Sequence, residues 1–367
     1  MRRFSLYIFI LTLCLLTGEC VSKKPQIPEI FNKAPKYRQK YVKLEKAYEI
    51  DVTNINLFSK EYEFSNFIDF DSHHNMYVLD SYRGIISVFD DKGNLVREFG
   101  GQGQGPNEFE NSNRLIIKDD KIYVFQGLFS LKVLSLDGQY IEKRNIFIEN
   151  PLKIKAGGDK FFLLRGKTDR TFTDLTLILS LTDETFSKGE EIFRYESPLG
   201  LNGPPCWNWL FISESGEFFF PIENLNKYSI TKYDRNGQPL MRFGREYQMQ
   251  KYSEKAIQEI NKMFKKAIEK GEMKVLDSPP IVRTMFEDLK RNIWVVSGET
   301  YEDNLIPNYE NTVDIFNERG EWLHSFKTSF VSKNSFFHNG YIFRVLPIDT
   351  ENFTQFIEVY KVEYLAE

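Results

Sequence analysis

Phe67-Ile68-Asp69-Phe70-Asp71, a polar turn through Asn75, and then Met76-Tyr77-Val78-Leu79-Asp80 make the first half of a phrase that recurs along this chain. The second half reads Val88-Phe89-Asp90-Asp91-Lys92-Gly93-Asn94-Leu95-Val96-Arg97-Glu98-Phe99, a strand, an Asp-x-x-Gly turn and a second strand. Aromatic and β-branched runs suit a pleated, half-buried surface, and Asp, Asn and Gly tolerate turn backbone, so each half is a predicted hairpin.

Five more copies of the first half follow. Arg114-Leu115-Ile116-Ile117-Lys118 turns at Asp119-Asp120 into Ile122-Tyr123-Val124-Phe125, and Leu152-Lys153-Ile154-Lys155 turns at Gly157-Gly158-Asp159 into Phe161-Phe162-Leu163-Leu164. The others begin at Trp209, Val282 and Ser335 and turn near Gly216, Asn292 and Gly340. The second-half turns fall at Gly93, Gly138, Gly189, Gly237 and Gly320, so the successive gaps are 45, 51, 48 and 83 residues. A repeat of roughly 45–50 residues made of hairpins predicts a β-propeller. Six first halves against five second halves leave Glu358-Val359-Tyr360-Lys361-Val362 without an outer partner. Ala47-Tyr48-Glu49-Ile50-Asp51-Val52 alternates suitably to supply it and to close the ring, which removes the exposed edges. The expected fold is therefore an all-β, six-bladed propeller over residues 47–367, zipped shut by its two chain ends.

The long gap holds an insertion, about residues 245–279. Tyr252, Ala256, Ile257, Ile260, Met263, Phe264, Ala267 and Ile268 recur at helical spacing, with Ser253 as N-cap and Gly271 past the C-terminal end. One amphipathic helix is expected, folded back on the propeller or serving as a dock for a partner.

Composition agrees with an all-β body. Aromatic residues make up 15% of the chain, including 33 Phe and 19 Tyr. At the start, Arg2 and Arg3 precede an apolar run over residues 4–16, too short for a bilayer span and of the length of an export-signal core. Thr17-Gly18-Glu19-Cys20 then resembles the end of a bacterial lipoprotein signal, which implies removal of residues 1–20 and lipidation of Cys20. Glu19 stands where that pattern has a small residue; simple secretion, with cleavage near Ser22, and an uncleaved membrane anchor are the competing expectations. With Cys14 in the signal and Cys20 modified, Cys206 is left alone and no disulfide framework is expected. Residues 1–20 carry a net +1 and residues 21–46 a net +6, so the total of −4 leaves −11 on residues 47–367. An acidic body argues against nucleic acid as a partner. The basic, Pro-bearing stretch 21–46 is expected to be an extended tether, either solvated or lying against anionic headgroups.

The phrases resemble the NHL-type and related six-bladed propellers of bacterial exported proteins. Tyr77-Val78-Leu79-Asp80-Ser81, Val88-Phe89-Asp90 with Gly93, and the glycine-rich join from Phe99 through Gly101, Gly103 and Gly105 to Phe109 carry the resemblance, as does Lys232-Tyr233-Asp234-Arg235-Asn236-Gly237. It implies a fold and a tendency to bind; it does not imply one chemistry.

Motifs for catalysis are weak. The Gly101–Gly105 run leads into another strand, not the helix a phosphate loop needs, and Gly166-Lys167-Thr168 lacks the first glycine of a P-loop. Asp69, Asp71, His73 and Asn75 alternate like a calcium loop, but His73 and His74 replace an oxygen ligand and the turn glycine. A hairpin turn is expected there. Of the four histidines, His73, His74 and His338 fall in first-to-second strand turns and His324 on an outer strand; a weak metal site shared by His73 and His338 across the closure is a minor expectation. No nucleophile elbow and no His-Glu-x-x-His occurs, and no cofactor is expected.

Function on a propeller concentrates on its unequal loops. The second-to-third strand loops and interblade joins supply Tyr82, Arg83, Arg165, Arg170, Trp207, Tyr301 and Tyr309, a composition suited to a binding hot spot or carbohydrate platform, or to packing over the channel mouth. The expected function is an exported, membrane-tethered, non-catalytic binding or scaffold protein whose partner is an envelope protein, peptide or glycan. A metal-dependent propeller lyase or hydrolase with a channel site is the alternative, and a structural subunit of an envelope complex is a third reading.

Overall fold

The computed structural model describes residues 27–55, 57, 66–146, 151–168, 174–186, 189–198, 210–224, 227–247, 254–263, 265–269, 282–297, 310–332, 334–346, 348–349, 351–352 and 354–365. After β1 (Glu29–Asn32) and β2 (Val42–Asp51), the strands gather in fours. Blade one is β3 (Ile68–Phe70), β4 (Met76–Asp80), β5 (Ile85–Phe89) and β6 (Leu95–Gly100). Blade two is β7 (Ser112–Lys118), β8 (Lys121–Gln126), β9 (Ser130–Ser135) and β10 (Tyr140–Asn145), and blade three is β11 (Pro151–Gly157), β12 (Lys160–Thr168), β13 (Asp174–Thr182) and β14 (Glu190–Pro198). Blade four is β15 (Phe211–Ile212), β16 (Phe218–Asn224), β17 (Lys227–Tyr233) and β18 (Pro239–Glu246). Two helical segments follow, α1 (Glu254–Met263) and α2 (Lys265–Glu269), within the expected insertion. Blade five is β19 (Val282–Glu287), β20 (Ile293–Ser297), β21 (Asn311–Phe316) and β22 (Trp322–Thr328). Blade six takes β23 (Ser335–His338), β24 (Tyr341–Val345) and β25 (Phe356–Tyr364) from the end of the chain.

The outer strand of blade six is β2. It pairs antiparallel with β25 from Val42↔Tyr364 to Asp51↔Phe356, so both chain ends close the ring as the repeat count requires. Within each blade the first strand lies at the channel and the last at the rim. The core is distributed between blades. One cluster joins blades six, one and two around Tyr77, Val78 and Phe109, and others join successive pairs, with Trp294 fully buried between blades five and six. Burying each such side chain contributes about 1.5–3 kcal/mol, so the ring is held by its interfaces.

The Asp-x-x-Gly turns share one mechanism. In the β5–β6 turn, Asp90 Oδ1 accepts from the N–H groups of Lys92 and Asn94, and Gly93 takes φ 82°. Register shifts beside it at Val88/Phe89, the bulge a left-handed turn residue creates. Asp234 and Asn317 accept in the same way in the turns of Gly237 and Gly320, with φ of 83° and 76°, and at Gly138, with φ 88°, Ser135 Oγ accepts from Gln139 N–H instead. Gly189 differs: in blade three Phe186 holds the positive φ, at 52°.

The stretch expected to be a free tether is corrected by the structure. β1 pairs parallel with β18 as a fifth strand on blade four, from Glu29↔Arg242 to Asn32↔Arg245, and β2 begins at Val42, before the expected boundary at residue 47. The unpaired edge of β18 supplies the reason, since its backbone groups bind any extended neighbour. Ile30 packs against the blade four–five cluster.

Candidate ligand channel

The six innermost strands, β3, β7, β11, β15, β19 and β23, surround a channel containing two voids of about 190 and 280 Å³. Ile154, Lys155, Glu214, Phe336, Phe337 and His338 line both. The inner strands therefore carry a mixed wall of aromatic rings and charges, and the charges differ in how firmly they are held.

Asp69 on β3 is fixed. Its Oδ2 accepts from the N–H of Ile117 on β7 at 2.8 Å and its Oδ1 from Phe70 N–H at 3.0 Å. Burial pushes its carboxyl upward, against the opposing pull of the Lys155 ammonium and these two N–H groups. His338 at the end of β23 is sandwiched. Its ring stacks on Phe70 with centroids 3.9 Å apart and 7° between planes, and its Nε2 lies 3.1 Å from His74 Nδ1. Burial, His74 and Lys155 push the His338 imidazole down to about 4, so it is neutral across the physiological range. Toward the start of the inner strands Arg114 Nε donates to Asn66 Oδ1 at 3.1 Å, and Lys153 Nζ donates to Leu210 O at 3.3 Å. Lys155 is exposed to the channel and makes no hydrogen bond or ion pair among the described residues. Its charge acts on Asp69 and His338 across the void without a bonded contact to either.

The resemblance to a calcium loop dissolves into turn chemistry. Asp71 accepts from His73 N–H, Asn75 N–H, Asn75 Nδ2 and Tyr77 OH at 2.8–3.2 Å, leaving its oxygens occupied by donors. Asp288 repeats the arrangement with Lys290, Asn292 and Trp294. The histidine pair across the closure is His74 with His338, not His73 with His338. His74 takes φ 66° in the β3–β4 turn and its ring meets that of His338 edge-on at 5.2 Å, although both His73 and His74 are exposed. His324 lies on outer strand β22, as expected, and is buried. Among the described residues no three His, Cys, Asp or Glu side chains are grouped to hold a metal ion.

Of the residues expected on the loop-rich face, Tyr82 is 75% exposed and Arg83 is bound back into its own turn. Arg83 Nε donates to the fully buried Asp80 carboxylate at 2.6 Å, and Asp80 also accepts from the N–H groups of Tyr82 and Arg83. Arg165 on β12 is half-buried and donates from Nη2 to Ser180 Oγ at 3.0 Å. These side chains belong to blades one and three. Arg170, Trp207, Tyr301, Tyr309 and the lipidation candidate Cys20 lie outside the described residues. What the sequence reading missed is Lys155 and Glu214, and the grouping of these two with Asp69 and His338 in the channel. The available signal was charge in the first strand of a copy, as in Leu152-Lys153-Ile154-Lys155, where a fully packed inner strand would be apolar.

Two solved structures share this architecture. A member of the DUF4221 family from Bacteroides vulgatus ATCC 8482 is 12% identical, with a TM-score of 0.50 over 89% of this chain and 100% of that one. A protein of Bacteroides fragilis NCTC 9343 described as exported is 11% identical, with a TM-score of 0.52 over 93% of this chain and 100% of that one. At such identity the likeness concerns the fold alone. No curated protein matches the chain. The family model for DUF5128, described as a 6-bladed beta-propeller, matches residues 50–266, from the closing strand into the helical insertion, and the chain belongs to that family.

Proposed function

We propose that this chain is an exported, lipid-tethered propeller that binds a small polar ligand, or the tip of a larger one, in its channel without transforming it. The observation that carries the reading is Lys155, an unpaired ammonium facing a cavity walled by Phe336 and Phe337 and flanked by Asp69, Glu214 and His338. Concave sites with aromatic walls and a few convergent polar groups are where small molecules bind. Asp69 and His338 are held by donors and by stacking, which suits them to shape and orient and not to exchange protons. Void volumes of 190 and 280 Å³ fit a group of monosaccharide or amino-acid size. Export and tethering rest on the leader, on Cys20, and on the exported Bacteroides relative of the same fold.

Native mass spectrometry of protein purified from its own envelope tests the reading. A bound mass is expected on the wild type and not on Lys155→Glu, with equal melting temperatures. Equal retention by the variant removes Lys155 from the site, and a time-dependent change in the mass of the released ligand would make the protein an enzyme.

A further inference from the structure

The N-terminal segment laces three blades together along the rim. Pro28 O accepts from Arg242 N–H at 2.8 Å, and β1 then runs beside β18. Asn32 joins blades four and five: its Nδ2 donates to Gly244 O and Gly320 O, and its Oδ1 accepts from Trp322 N–H. The N–H groups of Lys36 and Tyr37 donate to Trp322 O and Leu323 O at 2.8 Å, which carries the strap along β22 before β2 closes blade six. Tyr37 and Tyr41 stack at 4.6 Å to hold this path.

Along it Lys33, Lys36, Arg38 and Lys40 are all exposed. Lys33, Arg38 and Lys40 make no ion pair among the described residues, and the Lys36 ammonium sits over the Tyr37 ring at 5.2 Å. Rim cations elsewhere are neutralised in part, as Arg144 is by Glu142 and Arg194 by Glu191, while Lys143 on β10 stands alone without such a cluster around it. An unpaired basic stripe thus crosses one side of a body whose residues 47–367 carry −11. A solvated stripe would need no partner, but its covalent position supplies one. Pro28, which is fixed, lies eight positions after Cys20, a reach of at most about 29 Å.

We propose that this strap is the surface the propeller presents to an anionic bilayer, so that the ring sits edge-on with blades four to six toward the headgroups. The proposal rests on acylation of Cys20 as read above. Each Lys or Arg within a Debye length of an anionic surface strengthens attachment severalfold, and four on one fixed path orient the ring. The channel axis then lies along the membrane plane, with both mouths open sideways.

Full chain carrying its own anchor is reconstituted into phosphatidylcholine vesicles with or without roughly a third phosphatidylglycerol. Brief amine acetylation is then read residue by residue by mass spectrometry. Lys33, Lys36 and Lys40 should be protected roughly fivefold or more on anionic vesicles. Protection of all three should vanish at raised salt, and that of Lys36, the one of them remaining, in Lys33→Glu/Arg38→Glu/Lys40→Glu, while Lys143 on the opposite rim stays fully reactive. Uniform labelling with an acyl mass present on Cys20 overturns the orientation and leaves the tether intact. If Cys20 carries no acyl mass the tether reading fails, and the stripe is judged by the same labelling with added anionic vesicles at low salt. Protection there supports the docking surface, and its absence overturns it.

Discussion

Asp314 on β21 is the sharpest test of how the blades are joined. It is fully buried, and its Oδ2 accepts from Tyr228 OH at 2.6 Å and from Arg245 Nε and Nη2 at 2.8 and 2.7 Å, across the seam between blades four and five. The Arg245 guanidinium is also enclosed by the rings of Tyr228, Tyr247 and Trp322, at 4.8–5.5 Å. Asp314→Ala removes the anion and leaves a largely desolvated cation behind, a loss of about 3–5 kcal/mol. With an unfolding entropy near 2.1 cal/mol/K per residue, a ring of this size should melt about 6 °C lower for a 4 kcal/mol change. Replacing both partners with apolar side chains, Asp314→Leu with Arg245→Met, should recover most of the loss, because the penalty belongs to the stranded charge and not to the pair. Differential scanning calorimetry or urea unfolding of the single and double variants measures both. If Asp314→Ala costs under ~1 kcal/mol, or the double variant is no better than the single, the seam is not held in the way described.

Three other outcomes follow from the same structure. His338 titrates at about 4 in the folded chain against about 6.5 unfolded, so its contribution is present at pH 7 and is lost as pH falls between those values. Urea unfolding at pH 7 and pH 4.5 should show ~2 kcal/mol of that loss, absent in His338→Phe; an unchanged difference in the variant refutes the assignment. Gly237→Ala would place a Cβ 1.8 Å from Ile192 O at a φ of 83°, whereas a Cβ on Gly101 meets nothing within 4 Å. The first should cost at least ~2 kcal/mol by thermal melting and the second under ~0.5, and similar values for the two would contradict the turn geometry. Asn32→Ala should speed hydrogen exchange over residues 29–37 with little effect on the global melting temperature; unchanged exchange would mean the strap does not depend on that side chain.

The ring was legible because its signals are local. Turns such as Asp90 to Asn94 and Asp288 to Asn292 fold on their own side-chain hydrogen bonds, and a regular spacing of them counts the blades without any tertiary knowledge. β1 was not legible. Glu29-Ile30-Phe31-Asn32 has no turn of its own and becomes a strand only because β18 offers an open edge more than two hundred residues away. The histidine partner was off by one residue for a related reason, since the left-handed φ of His74 is set by turn closure and not by alternation. Lys155 and Asp69 were visible as charges but not as neighbours, because inner strands of different blades meet only when the ring has closed.

The pairing of β2 with β25 has a consequence for biogenesis. A growing chain makes the second of these strands more than three hundred positions after the first, so no product that stops short of it can latch. Contacts of such long sequence separation form slowly, so the seam between these two strands is a late event and the ring stays open until it forms. A product truncated before residue 356 would carry an open seam and a bare strand edge, the kind of end that proteases and aggregation both act on.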